Sequence, residues 1–527
     1  MKRPASSPGI AQRKATRPAE SPVASPAALP RGVLDGPCSV QDAFLWAADM
    51  LDAVCADAGR EQRLKAMMQK KLIVSSSYSG LRTRTEECAM AALSLAMCGR
   101  FGAELQHFFA YSCDTDKICQ TVALGSDVSR KPAHMFTDLN LWLFPSVRTY
   151  LDTLEENMPK ISGKMTKEEK KRTLDERAAN YNQMGHWLLG NIDLAFQDGC
   201  DCVQHLQTCK VAEAAPHAMS MEIAGLTCVA FSVVGKHEGL GHPSMRPFFV
   251  WACLMRKRRP MFLFIESAAR FPREMLDIFL ADLYQLVFFH HPGPCFHGFP
   301  GKRPRMYCIG FLRSKMTFVG SEREYKEIFE RTLVLNGDDF FFLPDDHEEV
   351  LEEKQELARK KRVQLSDKFD PPWEELYPPG KQELIKKHKE LFNQNKKSAK
   401  DVYICDLDQN IGYMSAGETF PTLVRHGTLY SLQKQRHATK SELFALMGFP
   451  LDPLCRSPYA CAFHDVCKNN LSRAEAHRLV GNAMFLPTLG SMILYAMCSV
   501  EFQAARIIRP LSWWDLDAEE MDAEGDE

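Results

Sequence analysis

Apolar positions change their period repeatedly along this chain. From Ser39 they recur as Phe44, Leu45, Ala48, Leu51 and Val54, the three-and-four spacing of a helix face that runs towards Lys70. Beyond it, short apolar runs rich in β-branched and aromatic residues predict strands at 71–77, 107–113, 133–137, 218–224, 260–265, 283–290 and 305–311. Helical stretches such as 86–95 and 248–257 lie between most of them. This alternation predicts an α/β layered sheet, with ligands at the carboxyl ends of its strands. Two segments break the rhythm. Residues 155–182, with the Lys/Glu run 167–172, predict an exposed helical insertion; a charged stretch from about 320 to 401, with Pro371-Pro372 and Pro378-Pro379, predicts a separate module or a long insertion. Apolar character returns at 439–450 and 479–496. The chain is thereby organised as an N-terminal arm (1–36), the first part of an α/β domain (37–319), a charged insertion (320–420), the closing part of that domain (421–510) and a tail (511–527).

Composition adds location and charge. With 45% hydrophobic and 25% charged residues the 527-residue chain is ordinary globular material, and its net charge of −2 leaves nucleic-acid contact to local segregation of charge. Lys381 to Lys400 holds seven lysines and two glutamates, a solvated helix face or a phosphate-contacting strip; Asp515 to Glu527 holds eight acids and no base. The arm carries Lys2, Arg3, Arg13, Lys14 and Arg17 among six prolines, which predicts disorder and suits nuclear import or DNA contact as well as a solvated terminus. Eighteen cysteines without a secretory leader predict reduced thiols and a cytosolic or nuclear setting. No stretch approaches 18 uninterrupted apolar residues, so no membrane span is expected.

The candidate chemistry follows the strands. Gly225-Leu226-Thr227-Cys228-Val229-Ala230-Phe231-Ser232 sets a cysteine just after an apolar run, where a thiol is presented for attack. The run 260–265 ends on Glu266, and the next opens with Arg303 and Arg305. Thiol, carboxyl and guanidinium in this order suit nucleophilic attack on an electron-poor heterocycle.

Together these motifs resemble those of the cytosine-5 methyltransferases, in the family's order over most of residues 71 to 500. The Cys228 loop is similar to the family's nucleophile loop, Ile265-Glu266-Ser267 to its glutamate-asparagine-valine strand end, and Gly301-Lys302-Arg303-Pro304-Arg305 to its glutamine-x-arginine-x-arginine motif. Glu442 to Gly448-Phe449-Pro450 and Gly481-Asn482-Ala483 resemble the two closing motifs. The resemblance implies a Rossmann-like S-adenosylmethionine-dependent fold with an inserted target-recognition region, transfer of a methyl group to C5 of cytosine, nucleic acid as partner and a nuclear location. DNA is the expected substrate, and RNA or a non-catalytic binding role are the alternatives. It assigns catalysis to Cys228, Glu266, Arg303 and Arg305. S-adenosyl-L-methionine falls to Tyr78, Ser79 and Gly80 of the first loop, to Asp114 or Asp116 for the ribose, to Asp138 near the adenine, and to Asn482. The chain departs from the pattern at Arg82 and Thr83, Thr227, Ser267-Ala268 and Gly301. No metal is expected: Cys455, Cys461, His464 and Cys467 fit no standard zinc-finger spacing, and His290-His291, Cys295 and His297 read as packing and loop residues.

Overall fold

The computed structural model describes residues 33–125, 131–211, 218–226, 229–231, 238–291, 293–366, 370–395, 401–412, 416–452, 454 and 471–503, without the side chains of 82–84, 290, 291 and 395. Nine strands make the central sheet: β1 (Leu72–Ser77), β2 (His107–Cys113), β3 (His134–Phe136), β4 (Gly199–Cys202), β5 (Gln207–Lys210), β6 (Met219–Gly225), β7 (Phe262–Ala268), β8 (Tyr284–His291) and β9 (Arg305–Leu312). Their order is β5-β4-β3-β2-β1-β6-β7-β9-β8. The pairs β1·β2, β1·β6, β2·β3 and β6·β7 are parallel; β8 and β9 return antiparallel, as does the β4–β5 hairpin. This is the mixed α/β methyltransferase fold, with all seven predicted strands in place.

Both faces of the sheet are covered, which explains why its strands read as apolar runs rather than alternations. Along β7, Phe262 and Phe264 enter one core and Leu263 and Ile265 the other. The first core takes the helices Trp46–Cys55 and Leu486–Cys498, so the last described helix packs beside the first long one. The second core takes Met245–Arg258 and Glu274–Leu280.

The segment 155–182 is mostly exposed, as expected, and its helix, Lys167–Gly190, runs on past it into a buried second half. A capping box at Thr166 and Glu169 starts it in solvent, but Tyr181, Met184 and Leu188 are buried against the helix Met245–Arg258. Arg246 of helix Met245–Arg258, 7% exposed, fastens that helix to Pro145–Glu156 through Asp152 (2.5 Å) and Glu155 (2.7 Å).

In the charged insertion, Tyr325, Ile328 and Phe329 of helix Glu322–Phe329 join the main core. A third cluster of Tyr377, Ile385, Cys405, Leu407, Tyr430 and Leu432 joins helix Pro379–Asn395 to the small sheet Ile404–Asp406, Leu429–Ser431 and Arg436–His437. That cluster draws on residues either side of 420.

Candidate active site

The site gathers where β1, β2, β6 and β7 end. Leu226 N donates to the Glu266 carbonyl at 2.9 Å, and Gly225 is in register with Glu266. The end of β6 therefore lies against the Glu266 strand end, three residues of sequence before Cys228. Cys228 itself, with Thr227 and Ser232, lies outside the described residues. Because β9 runs antiparallel to β7, its first residue faces the last of β7: Arg305 pairs with Ala268, and Tyr307 with Glu266. Glu266, 3% exposed, receives the Arg305 Nε at 2.9 Å. Two groups 39 residues apart in sequence thus become one oriented carboxylate–guanidinium pair.

Arg303 is placed differently from its expected role at the base. Its guanidinium is 5% exposed and donates to the backbone carbonyls of Leu423 (2.9 Å), Gly481 (3.0 Å) and Ala483 (2.9 Å). Those carbonyls flank Asn482, so Arg303 clamps the closing motif rather than pointing its donors at a substrate. The departure at Gly301 has a physical explanation: a β-carbon there would lie 2.1 Å from Phe420 Cζ. The Phe420 ring occupies the space into which a side chain would extend.

On the cofactor side, β1 ends in a sharp loop with Tyr78 at φ +54° and Gly80 at φ +51°. For Gly80 the left-handed backbone is unstrained. A β-carbon at Gly80 would lie 4.0 Å from Asn482 Cβ, so the first loop and the closing motif meet as expected. Ser79 ties the loop to β2 through its amide and hydroxyl on the Cys113 carbonyl (2.9 and 3.1 Å). Asp114 accepts from Gly80 N (2.5 Å) and Asp116 N (2.8 Å). Asp116 caps helix Lys117–Leu124 and pairs with Arg478. Asp138 caps the short turn Leu139–Trp142 through Asn140 N at 2.9 Å. Helix Arg82–Phe101 starts at Leu81 without a side-chain cap, so the positive end of a 20-residue helix faces the loop. Positive backbone, a small residue at the turn and carboxylates at successive strand ends fit an adenosyl amino acid.

Comparison with known proteins settles the family. A sequence model described as C-5 cytosine-specific DNA methylase matches residues 210–494, more than half of the chain. The chain belongs to this family. C5 methylases use S-adenosylmethionine as methyl donor, and the loop just described fits it. The chain is 24% identical over 287 residues to the type II methyltransferase M.HaeII of Haemophilus aegyptius, covering 51% of this chain and 73% of that protein. Among solved structures, the Dnmt2 methyltransferase of S. pombe is 14% identical with a TM-score of 0.38, and the methyltransferase EhMeth of Entamoeba histolytica is 12% identical with a TM-score of 0.38. Each covers 81% of this chain and 98% of the other.

One buried group of this methylase escaped the sequence reading. Glu222, in the middle of β6 and 2% exposed, accepts from Ser77 Oγ (2.5 Å) and Tyr111 Oη (2.8 Å). Burial raises its carboxyl above the usual range, and the two hydroxyls work against that rise. It braces β1 against β2 and β6 just beneath the first loop. A charged residue inside the run Met-Ser-Met-Glu-Ile-Ala was the signal that could have found it.

Proposed function

We propose that this methylase modifies C5 of cytosine in DNA through a covalent Cys228 adduct, on a base turned out of the duplex. The observation that carries this reading is the buried Glu266–Arg305 pair beside the end of β6, where carboxylate and guanidinium serve one ring from one edge. Cys228 as thiolate adds to C6 of the pyrimidine. Glu266 engages the N3 edge and draws electron density from the ring, which makes C5 nucleophilic. Arg305 orients that carboxylate and offsets charge developing on the base. Bound S-adenosylmethionine supplies an electrophilic methyl group. Loss of the C5 proton and release of Cys228 then restore the aromatic ring. Tyr78, Ser79, Gly80, Asp114, Asp138 and Asn482 hold the cofactor, while Asp116 and Arg303 position their own segments. Carbon C6 is inaccessible within a stacked pair, which is why the base must leave the stack.

The family description supports DNA as the substrate, and a nuclear location accompanies that reading. Of the four described lysines in the 381–400 strip, Lys381, Lys387 and Lys389 are in ion pairs with Asp408, Glu383 and Glu374. Such exposed pairs are weak and exchange readily for phosphate, so the strip remains the proposed backbone contact.

The test is covalent trapping on duplex DNA containing 5-fluorocytosine in the presence of S-adenosylmethionine. Wild type is expected to form a cofactor-dependent adduct that Cys228→Ala does not. An adduct on fluorinated tRNA alone would move the substrate to RNA, and none on either would overturn the catalytic reading.

A further inference from the structure

The β4–β5 hairpin at the edge of the sheet holds a group of side chains that methyl transfer does not use. Cys202, His205 and Cys209 fall within eight residues, and His134 joins them from β3. One ligand atom from each lies within 4.8 Å of every other. His205 Nδ1 is 3.5 Å from Cys202 Sγ and 3.4 Å from Cys209 Sγ. For zinc with its usual bond lengths, a regular tetrahedron has nitrogen–sulfur edges of about 3.5 Å.

The backbone builds this geometry. Phe136 of β3 is in register with Cys202, and β3 and β4 run antiparallel, so stepping back to His134 and forward into the hairpin turn leads to one place. Val203 N holds the turn to β3 through the Met135 carbonyl at 2.8 Å. The turn closes with Leu206 N on the Cys202 carbonyl at 2.9 Å, and Leu206 is forced to φ +54° with its side chain 89% exposed. A non-glycine residue in that conformation, presenting a large apolar side chain to solvent, is a cost that something local must offset. Cys202 and Cys209 are buried, at 3% and 8% exposure, and both are free thiols. His134, ring to ring with His205 at 5.1 Å, has its Nδ1 buried with no hydrogen-bond partner. Cys200 stands apart from the group: its thiol donates to the Asp138 carbonyl at 3.8 Å.

We infer that His134, Cys202, His205 and Cys209 bind a structural zinc ion that staples the β4–β5 hairpin to β3. Two thiolates and two neutral imidazoles around a divalent ion make a neutral site, which a half-buried edge tolerates. All four positions are protein ligands, which marks a structural rather than a catalytic centre. The longest ligand separations close by about 1 Å on binding, within the reach of side-chain rotation. The consequence is local: the ion holds the strand that leads into Asp138 and blunts an otherwise open sheet edge.

Metal analysis of the full chain, purified without added metal, is expected to give about one zinc per chain. The ion should remain in Cys200→Ser and be lost in Cys202→Ala and Cys209→Ala. Cobalt exchange should produce a thiolate-to-metal charge-transfer band. Cys209→His, which keeps a ligand, should retain a weakened band even if the alanine variants fold poorly. Wild type that contains no zinc and develops no such band with cobalt would overturn the inference. So would zinc retained undiminished in Cys202→Ala and Cys209→Ala, since it would place the ion elsewhere.

Discussion

Replacing Arg303 by methionine separates a clamp from a base-holding group. The side chain keeps its length but loses the donors to the Leu423, Gly481 and Ala483 carbonyls. A hydrogen bond from a charged donor contributes about 1.5–3 kcal/mol, and losing three that share one side chain, with some relaxation, costs about 3–5 kcal/mol. At about 2.1 cal/mol/K of unfolding entropy per residue, a 527-residue chain loses about 3–5 °C in Tm. Because two of the carbonyls flank Asn482, which meets Gly80 across the cofactor site, affinity for S-adenosylmethionine should fall about tenfold, worth about 1.4 kcal/mol. Differential scanning calorimetry and isothermal titration with the cofactor read the two effects. Unchanged Tm and cofactor affinity, with turnover alone abolished, would refute the clamp and return Arg303 to the base.

The complementary variants are Glu266→Gln and Arg305→Ala, expected to lower kcat about 100- to 1000-fold with cofactor affinity intact; equal losses of cofactor binding in a titration would argue against their placement at the base. Glu442, fully buried, takes both terminal nitrogens of Arg436 (2.7 and 2.8 Å) and the amides of Thr439 and Leu343. Glu442→Ala should cost about 3–5 kcal/mol in urea unfolding, and Glu442→Leu with Arg436→Met should recover much of it, whereas a neutral Glu442→Ala would refute the pair's importance. Burial and then Arg473 hold His477 at about 4, below its usual 6.5, so the folded protein keeps it neutral while the unfolded chain takes a proton. Stability is therefore full above about pH 6.5 and declines by about 3 kcal/mol as pH falls to about 4; His477→Gln should flatten that part of the pH profile, and an unchanged slope would contradict it. Gly301→Gln should destabilise the protein by collision with Phe420, and Phe420→Ala should rescue it in a thermal melt; destabilisation that persists in the double variant would show that the ring is not the obstacle.

The strands were legible because each is buried on both faces, and continuous apolar runs bounded by turns are a strong local signal. β4 and β5 were not, since Gly-Cys-Asp-Cys and Gln-Thr-Cys-Lys are four residues long, polar or sulfur-bearing, and stabilised by pairing across the hairpin rather than by their own pattern. For the same reason the His134 cluster stayed hidden: one ligand arrives from β3, and only sheet register brings it to the others. Helix Lys167–Gly190 looked exposed because its charges are concentrated at its start, while Tyr181, Met184 and Leu188 mark the buried half. At the active site, motif order named Glu266 and Arg305, and the antiparallel pairing of β7 with β9 brings them together. The separate fates of Arg303 and Arg305 arise because β9 begins at Arg305: residues two apart share a face within a strand, but Arg303 precedes the pairing with β7 and follows its own course.

The meeting of Gly80 with Asn482 has a consequence for biosynthesis. One wall of the cofactor pocket is translated early and the other after some four hundred further residues, with the charged segment 320–420 in between. A nascent or truncated chain can assemble much of the sheet but has no complete pocket until the closing motif emerges and Arg303 engages it. Fragments lacking the last segment are therefore predicted to be inert towards the methyl donor, so cofactor binding reports completion of the whole domain.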